Sequence, residues 1–474
     1  MGIALLWLGW LLVWAFGIAV LLALSTRTSR PSDDGEIAFV TGAGFFVGQF
    51  LLTLWMRALS TAGIPFGRVS IGGALLAVTV AAAWLAWRRH RKVLVDALRA
   101  APRGLAGSDL PTKQRALRYA ILGWLALRFA LLLVEVLRRP LYPWDAWTQW
   151  ATKARVWYGE RTMVPFVDAS QWLNAPGSSV WFDAAPHYPG TVPLTQVWSA
   201  TLLGRFDDAL INLPWWLTAV AFGFVVYGFL RGRRLGRVGA LVATWLVLSL
   251  PILDAHVALA GYADLAMATY LTLTAFAALR FVQSRRAFDL VLALVLAAAC
   301  TVIKNPGKIW ILMLMPGLVA ALVPRYGLRI AGAVFALAAA VALVLTRTGL
   351  TILGYHLQLD FDMPWNGLAE AYFMFANWHL LFYGALAVAL LAWRRLLSPE
   401  LAPLTLIVAA GLAFLMFGFA FTNARAWVED QSTVNRATLH LAPLIVVWMV
   451  LAFRAWSLPR SPAQPVHEPA AASA

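Results

Sequence analysis

The stretch Thr191-Val192-Pro193-Leu194-Thr195-Gln196-Val197-Trp198-Ser199-Ala200-Thr201-Leu202-Leu203 decides how the chain is threaded. It is apolar but about thirteen residues long, and a helix needs about 20 residues to cross the hydrocarbon core of a bilayer. Read as a crossing, it inverts every loop that follows. Read as a re-entrant or interfacial segment, it leaves the strongly basic loops on one side and the mixed loops on the other. The basic loops are 88–118, 231–237, 280–286, 325–329 and 394–395; the first alone holds nine Lys/Arg against Asp96 and Asp109. The loops 139–190, 347–370 and 422–436 combine acids and bases at zero or slightly negative net charge. Basic loops stay in the cytoplasm, so the second reading is adopted. It places the long loop 139–190 outside and the C-terminus in the cytoplasm.

The rest of the chain fits that frame. It is 61% hydrophobic and 13% charged, where a soluble domain carries about 25% charged residues. Apolar runs at 3–24, 37–59, 70–87, 117–138, 208–230, 238–254, 258–281, 288–303, 309–323, 329–346, 371–393, 402–421 and 437–456 are candidate crossings. The expected fold is an all-α polytopic membrane protein of about thirteen transmembrane helices, with interfacial or re-entrant helices in a large first outer loop. The first run is too long for the core of a signal peptide and lacks a basic leader, so it is read as a membrane helix. The net charge of +16 is explained by the basic loops, and nucleic acid is excluded as a partner. Cys300, the single cysteine, lies inside an apolar run and permits no internal disulfide. The tail 457–474 is rich in Pro and Ala and reads as disordered.

Polar residues gather at the outer face. The loop 139–190 opens with Tyr142-Pro143-Trp144-Asp145-Ala146-Trp147 and closes with His187-Tyr188-Pro189-Gly190. A helical period through Trp144–Tyr158 puts Trp144, Trp147, Ala151, Ala154 and Tyr158 on one face, as in an amphipathic helix lying in the interface. An aromatic belt explains the tryptophans but not Asp145, a carboxylate at a depth where charge is costly to keep. The next outer turn carries Asp254, His256 and Gly261-Tyr262-Ala263-Asp264, where Asp264 opens a helix and suits its dipole. Lys304-Asn305-Pro306-Gly307-Lys308 then breaks two apolar halves, and two lysines at a helix break make a candidate anion site. Asn423, Arg425, Arg436 and His440 flank the last outer loop and add positive charge. No phosphate-binding GxxxxGK[ST] loop, HExxH zinc motif, paired CxxC or GxSxG elbow is present.

In their order and side, these elements resemble the GT-C glycosyltransferases, in particular the bacterial protein mannosyltransferases, aminoarabinose transferases and lipopolysaccharide-core sugar transferases. Asp145 matches the carboxylate of the first outer loop, His187-Tyr188-Pro189 the second element, Asp264 the third and Lys304 the fourth. The likeness covers roughly 117–346, which sets a catalytic membrane module between an N-terminal three-helix segment, 1–116, and C-terminal helices, 347–456. One departure is that Asp145 is followed by Ala146, where many relatives have two adjacent acids. The only DxD, Asp360-Phe361-Asp362, falls in a later loop, so no metal ligand and no cofactor are assigned.

The resemblance implies transfer of a sugar from a polyprenyl-phosphate donor to a lipid, glycan or protein acceptor at the outer face of a bacterial inner membrane, with inversion. On that reading Asp145 is the general base. Lys304 and Lys308, helped by Arg425 and Arg436, hold the donor phosphate. His187, Tyr188, Asp264, His256, Trp144 and Trp147 support the substrates. A transporter or flippase of lipid-linked sugars would need ionisable residues near mid-membrane and internal repeats; Arg128 and Glu135 are exceptions among apolar span centres, and no repeat is evident. An O-antigen ligase or polymerase places its long outer loop later in the chain. A scaffold leaves Asp145 and the lysine break without a purpose.

Overall fold

The computed structural model describes residues 1–25, 34–107, 109–175, 180–323, 325–352, 355–357 and 359–458. The tail assigned to 457–474 lies, beyond Leu458, outside the described residues. The chain is mostly helical. Eight of its described helices are long and apolar enough to cross a membrane: Gly2–Leu24, Asp34–Thr61, Arg68–Lys92, Thr112–Arg138, Leu210–Gly232, Asp264–Ser284, Gly327–Arg347 and Ala402–Phe421. Four shorter apolar helices accompany them, Ala287–Ile303, Gly307–Leu322, Leu381–Leu391 and Ala442–Ser457. Short strand pairs, Phe166–Val167 with Trp181–Phe182 and Leu350–Ile352 with Tyr355–Leu357, are the departure from an all-helical chain.

The stretch Thr191–Leu203 forms a helix with twelve of its thirteen residues buried. It is packed inside the bundle. Several of its polar groups find partners there: Trp10 Nε1 donates to Ser199 Oγ at 3.0 Å, Gln196 Nε2 to Asn212 Oδ1 at 3.0 Å, and Arg57 to Thr191 Oγ1 at 3.2 Å. Gln196 Oε1 and Trp198 Nε1 have none among the described residues.

Close helix crossings set the core. A methyl group added at Gly17 would overlap the Gly44 carbonyl, one at Gly42 the Ala221 carbonyl, and one at Gly228 the Phe39 backbone. Small residues let backbones approach where lipid offers no hydrophobic drive between helices. The helix Asp34–Thr61 is thereby held between Gly2–Leu24 and Leu213–Gly232.

Three expected boundaries move. The run 238–254 is broken: Arg237–Leu248 and Pro251–Ala258 meet at 63°, because Pro251 lacks the N–H that would continue the first helix. The next helix begins at Asp264 and not near 258. The run 371–393 yields a helix only over Leu381–Leu391, preceded by a wide turn, Glu370–Met374, and a tight one, Ala376–Trp378.

The helix Asp264–Ser284 orients the site. Its first residue joins the residues expected at the outer face. Its far end, about 30 Å away at 1.5 Å per residue, joins the basic loops. There Arg280 bonds Glu36 at 2.8 Å and Asp289 at 2.9 Å, and Arg231 bonds Asp34 at 2.8 Å. The two polar ends are thus ion-paired by different partners.

Candidate functional site

Asp264 is the hub of a charged cluster. It is fully buried, and Lys304 Nζ reaches its Oδ1 at 2.6 Å while His440 Nε2 lies 3.0 Å from the same oxygen. Arg436 donates to Oδ2 through Nε at 3.1 Å and through a terminal nitrogen at 3.0 Å. That nitrogen also reaches Asp145 Oδ2 at 2.6 Å. Arg436 therefore clamps two carboxylates supplied by chain segments more than a hundred residues apart. Its guanidinium carbon stands 4.1 Å above the Tyr262 ring, a cation–π contact. Burial lowers the Arg436 pKa, but Asp264 and then Asp145 more than reverse this, and the net direction is upward. Two acidic side chains face two basic ones, Lys304 and Arg436.

Local chain geometry delivers each group. The helix Pro251–Ala258 ends and the next begins at Asp264, and between them Gly261 sits at φ +109°. A Cβ at Gly261 would stand 2.6 Å from that of Ala146, so this glycine both permits the turn and lets the Asp145 segment approach. Trp215 Nε1 donates to the Tyr262 carbonyl at 2.9 Å and fixes the turn from below. Lys304 is the extended residue closing Ala287–Ile303. Arg436 belongs to the single-turn helix Val434–Leu439.

Above the hub is a cleft of about 570 Å³, within the range of ligand pockets. Its polar end is formed by the charged Asp145, Lys304 and Arg436 together with His440, and its aromatic walls include Trp144, Trp150, Tyr188, Tyr262 and Trp310. Phe414, Leu415, Gly418 and Phe419 carry the wall onto the apolar helix Ala402–Phe421. Burial raises the pKa of the Tyr188 hydroxyl, and Asp264 and Asp145 add to the rise, so it remains a hydrogen-bond donor.

The structure brings Asp145, Tyr188, Lys304, Arg436 and Trp144 to one cleft and sets Asp264 beneath it. It does not bring the other expected residues there. Lys308 is exposed and does not line the cleft. The helix it opens, Gly307–Leu312, is a short six residues. Arg425 is tied to Asp362 at 2.6 Å, which leaves Arg436 as the arginine of the pair that faces the cleft. His187 is exposed, and the neighbouring Tyr188 takes its place. His256 is buried against the Tyr262 ring, with Nδ1 2.8 Å from the Ile252 carbonyl. Asp254 is ion-paired with Arg128 and is not a free turn residue.

The amphipathic face is also rotated. Trp144 and Trp147 are exposed, with ring centroids 5.1 Å apart, whereas Ala146, Trp150, Lys153, Ala154 and Trp157 are buried. The cause is a wide five-residue turn, Ala146–Trp150, before the helix Ala151–Glu160. An i→i+5 turn inserts one extra residue and shifts the register of all that follows.

That shift buries Lys153, a residue without a role in the sequence analysis. Lys153 Nζ lies 3.3 Å from Asp183 Oδ1 and donates to the Ala185 carbonyl at 2.7 Å. The same carbonyl accepts from the Tyr188 N–H at 3.1 Å. Lys153 thus anchors the turn that presents Tyr188, whose ring meets Trp150 edge-on at 5.3 Å. Burial lowers the Lys153 pKa and raises that of Asp183, each opposed by the attraction of the other.

No protein-family model, curated protein or solved structure matches this chain.

Proposed function

We propose that the protein is a GT-C-like membrane glycosyltransferase that moves a sugar from a polyprenyl-phosphate donor to a lipid, glycan or protein acceptor. The observation that carries this reading is the shape of the cleft. Its charged end holds Lys304, Arg436 and Asp145, and its wall continues onto the apolar helix Ala402–Phe421. A ligand that fits has an anionic head and a long apolar chain. Lys304 and Arg436 meet the phosphate and stabilise the charge that grows on it as it leaves. Asp145 is bonded to Arg436 through one oxygen and has no other hydrogen bond among the described residues. It accepts the proton of the acceptor hydroxyl as that oxygen bonds the anomeric carbon. The bond from that carbon to the phosphate oxygen breaks on the opposite face, so the configuration inverts. Mass analysis of lipid-linked sugars and envelope glycans with and without the protein tests the reading. An accumulated donor lipid and a missing glycan modification are expected, and unchanged profiles would overturn it.

Donor binding gives a sharper test. Lys304→Ala should weaken use of the lipid-phosphate donor by roughly tenfold to a hundredfold, the worth of a charge-assisted contact, with the acceptor's apparent affinity nearly unchanged. Lys304→Arg should restore part of the loss, since charge survives and geometry changes. Normal donor binding by Lys304→Ala removes the phosphate assignment.

We place the cleft on the outer side of a bacterial inner membrane. We propose thirteen crossings, made by the eight long helices, the bent pair and the four shorter apolar helices, with the C-terminus in the cytoplasm. The 11-residue helix among these, Leu381–Leu391, crosses only together with the turns Glu370–Met374 and Ala376–Trp378 that precede it. Cysteines placed at Ser170 and Gly232, both exposed, should react with impermeant reagents from opposite sides. The native Cys300 is buried and silent. Labelling of both positions from one side would invalidate the topology.

A further inference from the structure

We infer that His440 recognises a hydrogen-bond donor, a hydroxyl or an amine, on the sugar of the ligand; this rests on the lipid-phosphate reading above. His440 is 2% exposed and lines the cleft. Its Nε2 is 3.0 Å from Asp264 Oδ1. An ionised carboxylate only accepts, so Nε2 carries the proton. Lys304 and Arg436 already place two positive charges on Asp264, and a third on the imidazole would be repelled. The ring is therefore neutral, and Nδ1 is an acceptor.

That acceptor has no partner. Nδ1 is buried without a hydrogen bond among the described residues, and His440 alone among the cleft-lining residues carries such an atom. Its surroundings offer no substitute: Trp310 stands edge-on to the ring at 5.7 Å, and Phe414 packs behind Trp310 at 5.2 Å. A buried unsatisfied acceptor is costly and is explained when a ligand completes it. The cations beside it, Lys304 and Arg436, take the phosphate, so the group nearest His440 belongs to the part of the ligand joined to that phosphate. A site built to bond a hydroxyl or amine rejects ligands that lack it, because its own polar atom is then left unpaired.

Two substitutions separate this role from simple support of Asp264. In His440→Gln the amide nitrogen takes the place of Nε2 and keeps the Asp264 bond, while the Nδ1 acceptor is lost. In His440→Asn the amide oxygen takes the place of Nδ1, while the Asp264 bond is lost. Binding of polyprenyl phosphate and of a panel of polyprenyl-phosphate hexoses is measured on the full chain in lipid nanodiscs. The wild-type protein should prefer a sugar-bearing lipid over the bare phosphate. His440→Gln should lose that preference by roughly tenfold to a hundredfold while binding bare polyprenyl phosphate normally. His440→Asn should keep most of it. The reverse pattern, or a wild type with no preference for any hexose, overturns the His440 inference and leaves the lipid-phosphate reading standing. A wild type that binds neither class of lipid overturns that reading and this inference together. If a variant does not fold, mono-deoxy forms of the preferred hexosyl lipid decide on the wild-type protein: equal binding by all of them overturns the role of His440.

Discussion

Asp264→Asn should destabilise the folded protein by about 3–5 kcal/mol, the usual cost of removing one partner from a buried ion pair. The carboxylate is fully buried and compensates Lys304 and Arg436, which are 12% and 18% exposed. Without it, two cations share only Asp145, whose one side-chain hydrogen bond among the described residues is to Arg436. The loss is read from thermal or denaturant unfolding in detergent. A control separates charge from packing: Asp264→Asn combined with Lys304→Met should be less damaging than Asp264→Asn alone, since one uncompensated cation goes with the acid. Asp145→Asn should cost much less stability, because Asp145 is 25% exposed and such pairs contribute little. Wild-type unfolding by Asp264→Asn would mean that the cluster does not hold the helix ends together.

The hub shows where sequence reading stops. The composition alone gives a polytopic helical protein, and most apolar runs became helices close to their expected bounds. Asp145, Asp264, Lys304 and Arg436 were each visible as charges beside apolar runs. Which of them met was not visible, because Asp145 and Arg436 are separated by nearly three hundred positions and nothing local pairs them. Asp264 carried a local explanation, the helix dipole, that concealed its larger role. Lys153 was missed because a regular 3.6-residue period was run through a segment whose first turn is wide. The spacing of Trp150, Ala154 and Trp157 was the available signal, since it marks the buried face on which Lys153 lies. Lys308 and Arg425 were chosen by charge and position in the chain. A partner 63 residues away, Asp362, decided the fate of Arg425.

Asp145→Asn should lower turnover by at least about a hundredfold, the usual worth of general acid–base catalysis. Asparagine preserves the shape of the side chain and an oxygen to accept the 2.6 Å bond from Arg436, so Arg436, and Lys304 with it, should stay in place. Donor affinity should therefore change little while kcat falls, the signature of an interaction needed in the transition state and not in the ground state. Asp145→Ala separates the same two roles differently: it frees Arg436 from its second carboxylate, so donor binding should tighten or hold while turnover stays low. The measurement is single-turnover transfer from a polyprenyl-phosphate sugar, alongside equilibrium binding of the same donor to each variant. A folded Asp145→Asn protein with near-normal turnover would reduce Asp145 to an anchor for Arg436. The proton acceptor would then have to be sought among the other groups lining the cleft, of which the Tyr188 hydroxyl, its pKa already raised by burial, is a poor base. Loss of donor binding in step with turnover would instead show that Asp145 acts by holding Arg436 against the phosphate. The two outcomes assign the same carboxylate to different steps of one reaction.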